Sequence, residues 1–426
     1  MALASLQKSR AKAFHLLLGN KRNAKGVTVS AEDENSIIMQ AYLTELVNNI
    51  IKQEKLLDYY IERVSGRKKS LLGKGLLTAL RFGFYFLLFD SEMPEYAAVN
   101  ESVMLLKGKK EKGFLNAVLR KYIRDKSQYE PSRSGSIKDI AIRFSHPEWF
   151  VKFAVGKFGH EKAISVFQAN NSVPPVWLRL NLLKSDRESL ERFLKSENIA
   201  FERDKDIDFL YKTYKIRGLL YKKLFEEGAF YVQDKTTVLP CLYLDRFEGS
   251  DVLDICSAPG GKATLTAQLL GGGGRVLCID RTAEKTRLIE RNARRLGLHN
   301  IEIVQCDFLK NCDKIGNRLF GKILVDVPCS NTGAWRKRPE ARWLFTPSRF
   351  REVTGIQKEI LIKALSLLAK NGVLVYSTCS VLDIENRDIV LDAINRDREL
   401  ELTYEKLTLQ ETGGSEGGYF AAIRRS

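Results

Sequence analysis

The sequence predicts a doubly wound α/β domain that is preceded by an all-helical domain and a small α/β module. Three observations support this: apolar residues recur at helical spacing up to about residue 125, a mixed pattern follows between about 145 and 240, and strand and helix patterns alternate strictly from Asp251 onward. Strict alternation is typical of a mostly parallel sheet with helices on both faces. With 426 residues, the chain has room for two or three domains.

We expect four parts along the chain. Residues 1–128 form the helical domain, as the spacing of Leu76, Leu80 and Phe84 indicates. The polar stretch 129–144, with Pro131 and Gly135, predicts a linker. Residues 145–240 form the small α/β module and residues 241–426 the main sheet. In that sheet, apolar runs predict strands at 252–255, 275–279, 301–305, 322–325 and 372–377, and a final strand pair at about 400–407 and 418–424.

The charge of the chain favours a polyanionic partner. Lys and Arg number 69 against 52 Asp and Glu, a net charge of +17, and basic clusters recur at 67–69, 107–110 and 336–338. Solubility alone is the simpler explanation of such a charge. The sequence has no run of about 18 apolar residues and no apolar signal-peptide core after Met1, which predicts a cytoplasmic protein that does not span a membrane.

The seven cysteines do not have the spacing of a metal site. No C-x-x-C pair occurs, so we expect no zinc and no other metal. The odd number of cysteines argues against a disulfide framework. We expect four of them to pack in the core as small hydrophobic residues: Cys241, Cys256, Cys278 and Cys306.

The other two cysteines, Cys329 and Cys379, each stand just past an apolar run that predicts a buried strand. In an open parallel sheet, ligands bind outside the carboxyl ends of the strands, so these thiols are placed for chemistry. Carbon 5 of cytosine accepts a methyl group only after a thiolate has added to carbon 6, and a second group must help to remove the carbon 5 proton. Two neighbouring cysteines supply both groups, and Asp326 can hold the exocyclic amine and the ring nitrogen of the base.

A second strand end carries a turn that predicts a cofactor site. The first predicted strand of the main sheet runs into Cys256, Ser257, Ala258, Pro259, Gly260, Gly261 and Lys262, whose glycines permit a tight turn and close approach to a ligand. Asp254, Asp280 and Asp307 stand at the ends of three successive strands, and such carboxylates suit a cationic nucleoside such as S-adenosylmethionine. Helix caps and turns are the alternative explanation of each aspartate.

These motifs resemble those of the RNA cytosine-5 methyltransferases of the NOL/NOP2/Sun type. The resemblance implies a Rossmann-like methyltransferase domain in which Cys379 is the nucleophile and Cys329 assists product release. It also implies that residues 256–262, Asp280, Asp307 and Asp326 contact S-adenosylmethionine. Residues 96–103 and 114–120 resemble a NusB-like helical domain, and 144–149 resemble the start of an RNA-binding module, which together imply the bacterial branch that methylates 16S ribosomal RNA.

The sequence also predicts the conformation of the target base and the residues that contact the RNA. A base inside an A-form duplex cannot present carbon 6 to a thiol, so the target cytosine must lie in a loop or be flipped out. We expect Arg336, Lys337 and Arg338 to contact phosphates, with nearby aromatic rings close to the target, although a solvated surface loop is the alternative. Two other functions stay open: the same chemistry on transfer RNA, and a non-catalytic ribosome assembly factor that acts as an RNA-binding protein. We expect the protein to act as a monomer.

Overall fold

The computed structural model describes residues 3–19, 34–214, 222–247, 251–310, 312–316 and 318–426. These residues fall into two compact units. The first, called the helical unit below, ends at Ser172 and also takes in 338–344. The second, called the α/β unit, comprises the described residues of 173–337 and 345–426. Within the described ranges, no helix combines the length and apolar character that crossing a membrane requires.

The helical unit is built from amphipathic helices around one apolar core. In the helix Lys109–Arg124, the buried residues Leu115, Val118, Leu119 and Tyr122 recur every three or four positions and so share one face. Gly83 lets the backbone of a neighbouring helix approach this face, because a Cβ at Gly83 would lie only 2.4 Å from a methyl carbon of Leu119. The helices are α1 (Leu3–Leu18), α2 (Glu34–Lys52), α3 (Glu54–Ser65), α4 (Lys74–Phe89), α5 (Glu95–Met104), α6 (Lys109–Arg124), α7 (Ile137–Arg143), α8 (Glu148–Phe158) and α9 (His160–Asn171).

The α/β unit contains two sheets. The smaller sheet is antiparallel and has the strand order β2-β3-β1-β4. Its strands are β1 (Val176–Leu180), β2 (Phe201–Arg203), β3 (Leu210–Thr213) and β4 (Phe230–Val232). The helices α10 (Arg187–Ser196) and α11 (Lys223–Glu226) accompany it.

The larger sheet has seven strands in the order β10-β11-β9-β8-β5-β6-β7. The five strands β5 to β9 pair in parallel, and β11 adds to β9 in the antiparallel direction, which confirms the predicted doubly wound, mostly parallel sheet. The strands are β5 (Val252–Ile255), β6 (Val276–Asp280), β7 (Ile301–Gln305), β8 (Phe320–Asp326), β9 (Leu368–Thr378), β10 (Leu400–Thr408) and β11 (Gly418–Arg425). The helices are α12 (Lys235–Leu244), α13 (Gly261–Leu269), α14 (Ala283–Leu296), α15 (Pro347–Ser366) and α16 (Arg387–Ile394).

The structure draws other boundaries than the sequence suggested. The stretch 129–144, expected to be a linker, contains α7, in which Ile140 and Ala141 are fully buried. The helices α8 and α9, expected in the module 145–240, belong to the helical unit, whereas the small sheet belongs to the α/β unit. A seven-residue helix offers too few turns for its periodicity to be recognised in the sequence, which explains the first difference.

Candidate active site

The candidate site lies where β5, β6, β8 and β9 end. The chain adds β6 and β7 on one side of β5 and then returns to add β8 and β9 on the other side, so the strand order reverses between β8 and β5. Ligands of doubly wound sheets bind at such a switch point. Asp326 at the end of β8 is directly opposite Ser377 on β9, and the Ser377 hydroxyl donates to its Oδ1 at 2.9 Å. The predicted neighbourhood of these strand ends is therefore present.

The turn after β5 is held in a fixed shape. Cys256 has φ +61° and Gly260 has φ +96°, both in the left-handed region. The backbone N–H of Ala258 donates to Oδ2 of Asp280 at 3.0 Å, and the Ser257 hydroxyl donates to Oδ2 of Asp254 at 2.8 Å. The carboxylates of β5 and β6 thus shape the turn that precedes α13.

Asp254 is a buried acid that the turn only partly satisfies. Its Oδ1 has no hydrogen-bond partner among the described residues. Burial raises the pKa of Asp254 to about 7, while the Ser257 hydrogen bond and the Lys262 charge act in the opposite direction. Asp280, which is 4% exposed, pairs with Lys285 at 3.1 Å. A buried carboxylate oxygen without a donor at this edge is an acceptor for a cationic or hydrogen-bonding ligand.

Asp307 also shapes its own loop, because its Oδ1 accepts from the Leu309 N–H at 3.2 Å. The structure records a disulfide between Cys306 and Cys312 in this loop, with the Cα atoms 5.4 Å apart. The odd number of cysteines argued against a disulfide framework, and the described residues contain this one pair. Cys306 packs partly against the apolar core as expected, but as half of a disulfide and not as a free thiol. The two cysteines are six positions apart in sequence, and this spacing gave no signal of their pairing.

Lys262 and Asp326 form a buried ion pair beside the cysteines. The Lys262 Nζ lies 2.6 Å from Asp326 Oδ2, and the lysine is 8% exposed. Burial alone would lower the pKa of Lys262, but the negative charges of Asp326 and Cys379 more than reverse this, so the pKa ends above its ordinary value. The ammonium therefore stabilises negative charge on both Asp326 and Cys379.

The two predicted thiols are neighbours. The Cys329 side chain hydrogen-bonds Cys379, and this bond, together with burial and the charges of Cys379 and Glu385, raises the pKa of Cys329 well above its ordinary value. Both cysteines are partly exposed. The arrangement favours a thiolate on Cys379 that accepts a hydrogen bond from a protonated Cys329.

The basic stretch 336–338 is not the uniform phosphate-binding segment that the sequence suggested. Arg336 is 1% exposed, its Nε donates to Glu416 at 2.9 Å, and its other nitrogens donate to three backbone carbonyls. The predicted RNA contact of Arg336 is therefore wrong, since every charged nitrogen is already engaged inside the protein. Lys337 pairs with Asp234 at 2.7 Å, and Arg338 is exposed.

The aromatic residues around this stretch are also structural. Trp335 is fully buried. Trp343 belongs to the helical unit, where its Nε1 donates to the Ile51 carbonyl at 2.9 Å. Next to it, the buried Arg342 donates to the carbonyls of Lys52 and Ser145, and burial lowers its pKa to about 9. The ring of Trp335 is therefore not available to stack on a base, whereas the ring of Trp343 is partly exposed.

Sequence reasoning missed Glu385. This acid is fully buried between the two cysteine turns, where it accepts hydrogen bonds from Ser330 and Ser380. Two acids alternate with apolar residues in 381–385, directly after the Cys379 turn, and this was the signal that could have revealed it.

Three families match successive parts of the chain. Residues 5–124 match the NusB family, residues 146–208 match the ferredoxin-like domain of RsmF/B-like methyltransferases, and residues 241–420 match the family of 16S rRNA methyltransferase RsmB/F. The order agrees with the sequence resemblance.

Relatives that align over most of the chain agree with these family matches. The probable ribosomal RNA small subunit methyltransferase B of Bacillus subtilis (strain 168) is 31% identical over 386 residues, which cover 89% of this chain and 86% of that protein. The ribosomal RNA small subunit methyltransferase B of Enterobacter sp. (strain 638) is 29% identical over 98% of this chain and 97% of its own. The crystal structure of PH0851 aligns with a TM-score of 0.80 over 100% of this chain and 99% of that one, at 20% identity, so it shares the fold.

Proposed function

Because the chain belongs to the RsmB/F family of 16S rRNA methyltransferases, we propose that it transfers a methyl group from S-adenosylmethionine to carbon 5 of a cytosine in 16S ribosomal RNA. The observation that carries the proposal is the hydrogen-bonded pair of Cys329 and Cys379 beside the Lys262–Asp326 ion pair. Cytosine methylation needs a nucleophile and an assisting group at one ring edge. A protein that only binds RNA needs neither.

The cofactor site fits this reaction. S-adenosylmethionine would supply an electrophilic methyl group on a sulfonium. The unpartnered Oδ1 of Asp254 and the buried Asp280 give the edge of β5 and β6 a negative character that suits a sulfonium and an ammonium. The residues that would hold the cofactor are the turn 256–262, Asp280, Asp307 and Asp326, of which Asp280 and Asp307 also shape their own loops.

The nucleophile in this mechanism is Cys379. Its thiolate, stabilised by Lys262, bonds carbon 6 of the cytosine, and the electron pair of the ring double bond makes carbon 5 nucleophilic. The Asp326 carboxylate accepts from the exocyclic amine. Carbon 5 would then take the methyl group as the methyl carbon–sulfur bond of the sulfonium breaks, and the electron pair of that bond would stay on sulfur, which leaves as a neutral thioether.

Cys329 acts in the second half of the reaction, after methyl transfer. Once the Cys379 sulfur is bonded to carbon, the negative charge that held the Cys329 proton is gone, and that proton leaves to solvent. The Cys329 thiolate then removes the carbon 5 proton, the carbon 6–sulfur bond breaks, and its electron pair returns to Cys379. The resting state is restored, with one net proton released.

The RNA is expected to reach exposed cations as well as this site. Six of them lie on the helical unit and form what we call the basic surface: Arg67, Lys68, Lys74, Lys107, Lys109 and Lys110. None forms an ion pair with a residue that the structure describes. We assign phosphate contacts to this surface, to Lys337 and to Arg338.

The basic surface has two halves, residues 67–74 and residues 107–110, and two contacts place these halves side by side. The Arg67 guanidinium lies 4.8 Å from the ring centre of Phe114 on α6. The Glu111 carboxylate is close to both Gly73 and Gly108: it lies 3.9 Å from the point where a Cβ would stand at Gly73 and 3.0 Å from the corresponding point at Gly108. Glu111 is the only acid in 66–74 and 107–112, so the surface has a strong positive excess.

The test is an adduct assay with 16S rRNA transcript and S-adenosylmethionine. Cys329→Ala should accumulate a protein–RNA adduct that survives a denaturing gel, and Cys379→Ala should form none. The opposite pattern would exchange the two roles. Bisulfite sequencing of the product locates the modified cytosine, and transfer RNA in a parallel reaction tests the alternative substrate. Absence of any methyl incorporation into either RNA by the wild-type protein would overturn the proposal.

A further inference from the structure

Glu385 joins the turns that carry the two cysteines. It lies in the short 3-10 helix Asp383–Glu385 and is fully buried. Its Oε1 accepts from the Ser330 N–H at 2.8 Å, and its Oε2 accepts from the hydroxyls of Ser330 and Ser380, both at 2.5 Å. Ser330 directly follows Cys329, and Ser380 directly follows Cys379. One carboxylate therefore fixes the spacing of both thiols.

The surroundings hold Glu385 in place through uncharged donors. Gln357 donates to Glu385 Oε1 at 3.3 Å and to the Pro328 carbonyl at 2.8 Å, and the Tyr376 hydroxyl donates to the Glu385 carbonyl at 2.7 Å. Every donor recorded to the carboxylate is neutral, and no ion pair of Glu385 occurs in the described part of the chain. A buried charge without a cation is costly, and a neutral side chain could make similar hydrogen bonds. The presence of an acid at this position, rather than such a neutral side chain, therefore calls for an explanation.

The two thiols face opposite charges. Lys262 stabilises negative charge on Cys379, whereas Glu385 opposes negative charge on Cys329. Tyr376 also interacts with Cys329, and Asp326 interacts with Lys262 and with Tyr376. Two chemically identical side chains in contact are thereby made unequal.

We propose that Glu385 is a positioning residue for methyl transfer. Its side chain aligns the two cysteine turns and keeps Cys329 protonated while Cys379 carries the thiolate charge. This rests on the proposed function, because only the covalent mechanism needs two unequal thiols. A protonated Cys329 leaves Cys379 as the single nucleophile, and the proximity of Glu385 makes the Cys329 thiolate a stronger base when it later takes the carbon 5 proton.

The test measures alkylation of each cysteine by iodoacetamide from pH 6 to 10, with the modified residues located by mass spectrometry. In the wild-type protein, Cys379 should react at lower pH than Cys329. In Glu385→Gln, the midpoint for Cys329 should fall by about one pH unit, because a neighbouring negative charge has been removed. The matched control is Glu405→Gln on the edge strand β10, where the carboxylate accepts from Tyr419 and pairs with Arg387, and it should leave both midpoints unchanged.

Unchanged midpoints in a folded Glu385→Gln would overturn the proposal, and so would a wild-type Cys329 that reacts at lower pH than Cys379. The second result needs no variant, so the test stands even where Glu385→Gln fails to fold. Ser380→Ala adds a further check, since it removes one donor and keeps the charge, and the order of reactivity should persist. Because alkylation uses neither RNA nor cofactor, a failure here is distinct from a failure of the adduct assay.

Discussion

Cations are held differently at the edge of the large sheet and on the basic surface of the helical unit. At the sheet edge, Lys262 is 8% exposed and lies 2.6 Å from Asp326. On the basic surface, cations such as Lys68 and Lys109 are exposed and form no ion pair with described residues. Removing a charge from water costs several kcal/mol unless a partner replaces the water, so the buried cation has a fixed partner and the exposed ones need none.

Buried and exposed cations therefore have different roles in this protein. A buried, paired cation fixes geometry and changes the protonation of its neighbours, whereas an exposed cation exchanges its counterions for phosphates at little cost. The sequence does not distinguish the two kinds, because residues 336–338 and 67–69 are equally basic. Arg336 nevertheless belongs to the first kind, and Arg67 and Lys68 belong to the second.

The largest effect is expected from Lys262→Met. The change removes the positive charge that favours a thiolate on Cys379 and leaves Asp326 without its partner. Methyl transfer should slow by about 10²- to 10⁴-fold, the range for loss of a group that controls proton position. The activity profile should also move to higher pH. Single-turnover rates across pH measure both effects.

The matched control for that change is Lys358→Met. Lys358 is a partly exposed lysine of α15 that pairs with Asp392 at 3.6 Å, and ion pairs in contact with solvent contribute little. Its rate and pH profile should equal those of the wild-type protein. A Lys262→Met protein with full activity would show that the sheet edge does not need its cation, and would remove the contrast between the two regions.

The next effect concerns stability. Arg336→Met should lower the free energy of unfolding by about 3 kcal/mol, since it breaks a buried ion pair with Glu416 and leaves three carbonyls without a donor. Arg338→Met, two residues further along and exposed, should change it by less than about 0.5 kcal/mol. Urea unfolding measures both. If Arg336→Met proved as stable as the wild-type protein and only RNA affinity fell, Arg336 would belong with the exposed cations after all.

The sequence predicted the sheet, and the convergence of Cys329, Cys379 and Asp326 at its strand ends, because both rest on local signals. The strand bounds 252–255 and 301–305 agree with β5 and β7, since three apolar residues in each short run between polar turns leave little choice. Cys329, Cys379, Asp326 and Lys262 were found because their positions follow directly from strand ends.

The remaining features depend on pairings between distant residues. Arg342 is buried because carbonyls of Lys52 and Ser145 surround it, and 290 residues separate Arg342 from the first of them. Glu385 acquires its role from Ser330, which lies 55 positions earlier. No periodicity reveals such pairings, and the same holds for the antiparallel pairing of β2 with β3, which the sequence did not predict.

The smallest effect is expected on the basic surface, and it needs several changes at once. Replacing Lys68, Lys74, Lys109 and Lys110 by Gln should weaken RNA binding by about tenfold at moderate salt. The logarithmic dependence of affinity on salt should become shallower by about 0.7 for each single-strand phosphate that the variant no longer neutralises. Stability should change little, because these side chains are exposed and lack ion pairs with described residues.

The control for this variant keeps the change in net charge and moves it elsewhere. Lys8, Lys12, Lys138 and Lys152 are also exposed lysines of the helical unit, and none lies in 67–74 or 107–110. Their replacement by Gln should lower affinity less and leave the salt dependence close to that of the wild-type protein. Equal decreases in the two variants would mean that RNA responds to overall charge, and the basic surface would then have no special place in binding. A larger decrease from the first variant would instead locate the phosphates between α4 and α6, where Glu111 borders both halves of the surface.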